Sequence, residues 1–142
     1  MSKLNAKILI VDDEEHIVNF LALTLEDSIS EIIKAYNGRE ALELVAKHPD
    51  LVCILSDIKM PVMDGLELIR EVRKTNKKIP FIFFSGFGSE KYMAEALKYG
   101  AYDFINKPDL ENAEEVVLRA VNESLNGQAA TGNLQNKLKD LF

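Results

Sequence analysis

Residues 7–13 read Lys7-Ile8-Leu9-Ile10-Val11-Asp12-Asp13, four apolar residues without a break and then two carboxylates. A strand with one wet face alternates apolar and polar residues. An unbroken apolar run belongs to a strand covered on both faces, as helices cover a parallel sheet. The pattern returns at Leu51-Val52-Cys53-Ile54-Leu55, ahead of Ser56-Asp57, and at Phe81-Ile82-Phe83-Phe84, ahead of Ser85. Two weaker runs lie at Glu31–Ala35 and Tyr102–Asn106, and the first of these carries Glu31 and Lys34, which suits an edge strand.

Between the runs the apolar spacing becomes helical. Val18, Leu21 and Leu25 share a face, as do Ala41, Leu42 and Val45, then Met93, Ala96 and Leu97. Ala113, Val116, Val117, Ala120 and Val121 give the clearest stripe. Asn37, Asp64, Ser89 and Asp109 stand where N-caps belong, Glu67 completes a capping-box pattern with Asp64, and Gly100 is placed to end the fourth helix. Strand–helix alternation of this kind predicts a doubly wound α/β fold, a parallel sheet with right-handed crossovers. The alternation runs to about residue 126. Residues 1–126 are therefore expected to form one domain, and residues 127–142 a small flexible linker and a short C-terminal tail.

With 142 residues, 47% of them hydrophobic, the chain can bury a core without a disulfide or structural metal. A net charge of -6 disfavours nucleic acid as a partner. Cys53, the one cysteine, reads as a small buried hydrophobe, and a reducing cytoplasmic setting fits. No signal peptide or membrane span is visible in the sequence.

In an open parallel sheet, ligands bind beyond the carboxyl ends of the strands. Asp12 and Asp13 follow the first run, Asp57 follows the third, Ser85 ends the fourth and Lys107 follows the fifth. Asp12 or Asp13 alone would serve equally well as a helix cap, and Lys107 alone would be a solvated lysine. At the same ends of different strands they form a set. Three carboxylates repel one another and call for a cation, and magnesium takes such oxygen ligands while keeping waters. A carboxylate can also be the nucleophile in phosphoryl transfer, with a lysine and a hydroxyl to steady the transferring group.

Val11-Asp12-Asp13-Glu14, Asp57 followed by Met60-Pro61 and Asp64-Gly65, Ser85-Gly86 and Lys107-Pro108 together resemble the receiver domain of two-component response regulators, over residues 5–126. The resemblance implies a flavodoxin-like (βα)5 fold with a five-stranded sheet in the order 2-1-3-4-5. It implies phosphorylation on Asp57 by a sensor histidine kinase or histidine phosphotransfer protein. It makes Asp13, Asp57 and the backbone carbonyl of Lys59 direct magnesium ligands, with Asp12 acting through water. Lys107 is implied to contact the phosphoryl group, Ser85 to turn inward to it, and Phe104 to take the aromatic switch position. A downstream protein target is implied on the surface of the fourth helix, fifth strand and fifth helix, with the domain a monomer or weak dimer. The Lys107-Pro108 bond is implied to be cis. Lys59 and Phe87 stand at the positions that flank the attacking water in the family, which implies slow self-dephosphorylation.

Three classes of function compete. A receiver catalyses only its own phosphotransfer and autodephosphorylation. An aspartate-nucleophile phosphatase of the haloacid dehalogenase kind needs a second Asp two residues after the nucleophile, where this chain has Lys59. An unphosphorylated docking module has no use for the full acidic set with Ser85 and Lys107. His16 reads as a solvated surface histidine, and Phe81, Phe83 and Phe84 read as core. In the tail, Leu134, Leu138, Leu141 and Phe142 make one apolar stripe if helical, a helix too short to stand without a surface. The expectation is that the tail packs on its own domain or frays, and docking on a partner or second copy is the alternative.

Overall fold

The computed structural model describes residues 3–86, 89–128 and 132–141. Five strands, β1 (Leu4–Val11), β2 (Ile29–Ala35), β3 (Leu51–Ser56), β4 (Phe81–Ser85) and β5 (Asp103–Asn106), alternate with helices α1 (Glu15–Leu25), α2 (Gly38–Lys47), α3 (Gly65–Val72), α4 (Met93–Lys98) and α5 (Leu110–Leu125). A 3-10 turn, Ser89–Tyr92, leads into α4, and a sixth helix, α6, spans Leu134–Leu141. All strand pairs are parallel, in the order β2-β1-β3-β4-β5. The α/β sheet with order 2-1-3-4-5 is as expected, and the strand bearing Glu31 and Lys34 lies at an edge.

Side chains alternate across each strand and divide the core in two. Leu9, Val11, Ile54, Phe81, Phe83 and Phe104 point to the face covered by α2, α3 and α4. Ile8, Ile10, Cys53, Leu55, Ile82 and Phe84 point to the face covered by α1 and α5, where all five residues of the α5 stripe are buried. Three expected caps form: Asn37, Asp64 and Asp109 accept hydrogen bonds from the N–H groups of Glu40, Glu67 and Asn112. Gly100 follows α4 with φ +73°, a conformation that favours glycine.

α6 lies against α4. Leu134 is 1% exposed and joins Met93, Ala96 and Phe104 in the core, with Leu138 packed beside them. This is the expected self-packing. Phe142 and residues 129–131 of the linker lie outside the described residues. The linker's Gly132 does more than supply flexibility, since a Cβ there would meet the carbonyl oxygen of Tyr102 at 1.6 Å, so the chain passes β5 at a separation only glycine allows. A buried leucine contributes about 1.5–3 kcal/mol, whereas fixing each backbone residue costs about 1–2 kcal/mol. With one fully buried leucine among its described side chains, α6 is at the low-stability end of the molecule.

Candidate functional site

The peptides at the ends of β1 and β3 are tied to neighbouring strands. Asp12 N–H donates to the carbonyl of Ala35 at 3.2 Å, and Asp57 N–H to that of Val11 at 2.9 Å. Asp12 and Asp57 therefore stand side by side where the chain leaves β1 and β3. Both are buried, at 1% and 6% exposure, while Asp13 faces solvent. Carboxylate oxygens of Asp12, Asp13 and Asp57 lie within 4.8 Å of one another.

Each oxygen of Asp57 has its own donors. Oδ1 accepts from Ser85 Oγ at 2.7 Å and from its neighbour Ile58 N–H at 2.7 Å. Oδ2 accepts from Lys107 Nζ at 2.9 Å. That ammonium also lies 2.8 Å from Asp12 Oδ2 and 3.6 Å from Glu14 Oε1. Burial works against the charge on Lys107, but its bonds to Asp12 and Asp57 outweigh burial and raise its pKa. Burial pushes Asp12 up to about 6, against the lowering effect of Lys107 and of the Glu14 N–H that it accepts at 2.9 Å.

The loop from Ile58 to Asp64 folds back on the site. Gly65 N–H donates to Ile58 O at 2.7 Å, and Met63 N–H donates to Pro61 O at 2.8 Å, a γ-turn centred on Val62. Val62 has φ +72° and is 69% exposed. The Lys107-Pro108 bond is cis, as expected. Phe104 is buried, its ring centroid 6.1 Å from that of Phe83. His16 is exposed, 3.5 Å from Glu14. Lys59 is exposed, and Phe87 lies outside the described residues.

The structure thus brings Asp12, Asp13, Asp57, Ser85 and Lys107 to one end of the sheet, and places Phe104 in the core behind them. Sequence reasoning assigned no role to Glu14, which adds a third carboxylate to Lys107, nor to Gly65. Their presence inside the quoted motifs was the only signal. Chemically, the arrangement offers a carboxylate held by a hydroxyl, a peptide N–H and an ammonium, beside further oxygen ligands that suit a hard divalent cation. Among the described residues, no helix is long and apolar enough to cross a membrane.

Residues 8–136 match the response regulator receiver domain family. The chain is 39% identical to the uncharacterized transcriptional regulatory protein YesN of Bacillus subtilis, over 93% of this chain and 38% of that protein. It is 39% identical to the regulatory protein AtoC of Escherichia coli, over 81% of this chain and 25% of that protein. The chain therefore spans well under half the length of these curated relatives. Among solved structures, the Vibrio cholerae chemotaxis protein CheY4 superposes with a TM-score of 0.75 at 32% identity, covering 82% of this chain and 99% of that one. A chain of the CheX-CheY-BeF3-Mg+2 complex from Borrelia burgdorferi gives 0.74 at 30% identity, covering 80% of this chain and 87% of that one.

Proposed function

Since the chain belongs to the response regulator receiver domain family, a signalling phosphoacceptor rather than a catalytic enzyme, we propose that Asp57 is the residue that takes the phosphoryl group. The observation that carries this reading is the bonding of the Asp57 carboxylate, with Ser85 and Ile58 N–H on one oxygen and Lys107 on the other. A carboxylate oxygen of Asp57 attacks the phosphorus of a phosphohistidine. The P–N bond breaks, and the imidazole leaves with the electron pair and takes up a proton. Lys107 and Ser85 then hold the oxygens of the new acyl phosphate.

Asp13, Asp57 and the carbonyl of Lys59 hold magnesium directly in this reading, with Asp12 acting through water. The clustered carboxylates supply a donor set of the right chemistry. Magnesium, when bound there, neutralises charge on the transferring phosphoryl group. The donor is a sensor histidine kinase or a histidine phosphotransfer protein, and the setting is cytoplasmic. Ser85 and Phe104 carry the phosphorylation state to a downstream protein at α4, β5 and α5. Residues 1–126 constitute the receiver unit, monomeric or weakly dimeric, and residues 127–142 its linker and tail.

Incubation with acetyl phosphate and magnesium, followed by intact-mass measurement, tests the assignment. One added phosphoryl group is expected in the wild type and none in Asp57→Asn. Equal labelling of both overturns it.

A further inference from the structure

The free edge of β5 is closed by side chains that the phosphoacceptor reading does not use. Asp103, 1% exposed, accepts the Phe104 N–H at 2.7 Å and the Lys137 ammonium at 2.6 Å. The same ammonium donates to the Phe104 carbonyl at 2.7 Å. Both peptide groups of Phe104 are thus engaged by one ion pair, half of it supplied by α6. Leu134, buried in the cluster that also holds Met93, Ala96 and Phe104, and Leu138, packed against that cluster, seat the helix, and Gly132 just ahead of it lies against the backbone of Tyr102. Arg119 of α5 waits 3.7 Å from the other oxygen of Asp103. If Lys137 departs, this buried carboxylate still has a cation within reach.

This edge is mechanically close to Lys107. β5 has four residues, and Lys107 follows it directly, held to β4 by its N–H to the Ser85 carbonyl at 2.8 Å. A cleft of about 540 Å³ bordered by Met93, Lys107, Asn112, Lys137 and Asp140 runs from the Lys107 loop to α6. The Lys107 ammonium sits 2.9 Å from Asp57 Oδ2, in space that a phosphoryl group on that carboxylate needs. A phosphoryl group there would shift Lys107, which stands three residues after Phe104, the residue whose peptide groups the Asp103–Lys137 pair clasps.

We propose that α6 is a strap on the open edge of β5 and the face of α4, and that phosphorylation of Asp57 loosens it, exposing a surface shaped for an amphipathic helix with the Leu134–Lys137–Leu138 pattern. The proposal rests on Asp57 being the phosphoacceptor. By linkage, whatever the phosphoryl group takes from the docking of α6, release of α6 returns as affinity for the phosphoryl group. An eight-residue helix that holds, among its described side chains, by one fully buried leucine, a half-buried Leu138 and one ion pair is weak enough for such a shift to register.

The full chain is tested by amide hydrogen exchange over α6, with and without acetyl phosphate and magnesium, alongside intact mass. In the phosphorylated protein, exchange of α6 is expected to rise at least about fivefold, the low end of allosteric coupling. Beryllofluoride, a reversible mimic of the phosphoryl group, supplies the equilibrium counterpart. Lys137→Met and Leu134→Ala are each expected to bind it about fivefold more tightly than the wild type. A protein that gains the phosphoryl mass with α6 exchange unchanged overturns the strap and leaves the phosphoacceptor intact. So does unchanged beryllofluoride affinity in both variants. A wild type that neither gains the mass nor binds beryllofluoride overturns the phosphoacceptor reading and the strap with it.

Discussion

Gly65 lies so close to Asp57 that a Cβ on the glycine would be 2.2 Å from the aspartate's carbonyl oxygen. The same Cβ would meet the Ile58 Cα and the Phe83 ring at 2.9 Å. No flexible side chain is free to yield, because the nearest contacts are backbone and a buried ring. Gly65→Ala is expected to destabilise the fold by about 2 kcal/mol, within the range for overpacked cores. It should also slow phosphorylation by acetyl phosphate, since the strain falls on the Asp57 peptide. Urea denaturation and the labelling rate check the two effects, and a variant matching wild type in both refutes the argument.

Val62 is a β-branched residue at φ +72° with nothing to gain from its exposed side chain. Such a conformation costs about 1–3 kcal/mol, and glycine removes that cost while losing about 1 kcal/mol in chain entropy. Val62→Gly should therefore raise stability by up to about 2 kcal/mol. The midpoint of urea unfolding should increase with its slope unchanged. A lower midpoint would show that the valine is held by contacts rather than strained.

Asp13→Asn should weaken magnesium binding. Removing a unit charge about 4 Å from a divalent ion costs about 2 kcal/mol even at the dielectric of bulk water. That corresponds to about a thirtyfold loss of affinity, which calorimetric titration resolves. Undiminished affinity would place the metal elsewhere.

Alkaline pH should destabilise the protein through two groups. Burial pushes the Cys53 thiol up to about 12. Burial, with the hydrogen bond to Glu123, pushes the Tyr102 phenol up to about 12. Both folded values exceed the unfolded ones, about 8.5 and 10. Their contribution is therefore complete below the unfolded values and is lost as pH rises through the window up to about 12. Urea midpoints should hold steady from pH 7 to about 8.5 and fall above it. In Cys53→Ala the fall should begin later, near the tyrosine's range. A fall that begins at the same pH in the variant would clear the thiol.

The fold was legible wherever its signals were local. Asn37, Asp64 and Asp109 each accept the N–H three residues onward, a relation that depends on nothing distant. The unbroken apolar runs of β1, β3 and β4 marked them as strands covered on both sides. Asp12, Asp57 and Lys107 could be grouped because each follows a strand and parallel strands end together. The pairing of Asp103 with Lys137 carries no such mark, because the two residues stand far apart in the sequence. Gly65 and Gly132 stand in the same position. A glycine's letter does not say which backbone lies against it, and here the answers are Asp57 and Tyr102.

Arg73, at the end of α3, spends its guanidinium on backbone: Nε donates to Tyr99 O at 2.7 Å, Nη1 to Asn76 O at 3.1 Å and Nη2 to Gly100 O at 3.1 Å. The bonds to Tyr99 and Gly100 pin the exit of α4 to α3, while the entry of α4 lies toward the Lys107 loop. The helix is thus built as a lever with its fulcrum at Tyr99–Gly100. A given rotation has its smallest excursion there and its largest at Met93, which shares a core cluster with Phe104 and Leu134. Lysine at position 73 could bond only one or two of those carbonyls, and the pivot would become a loose joint.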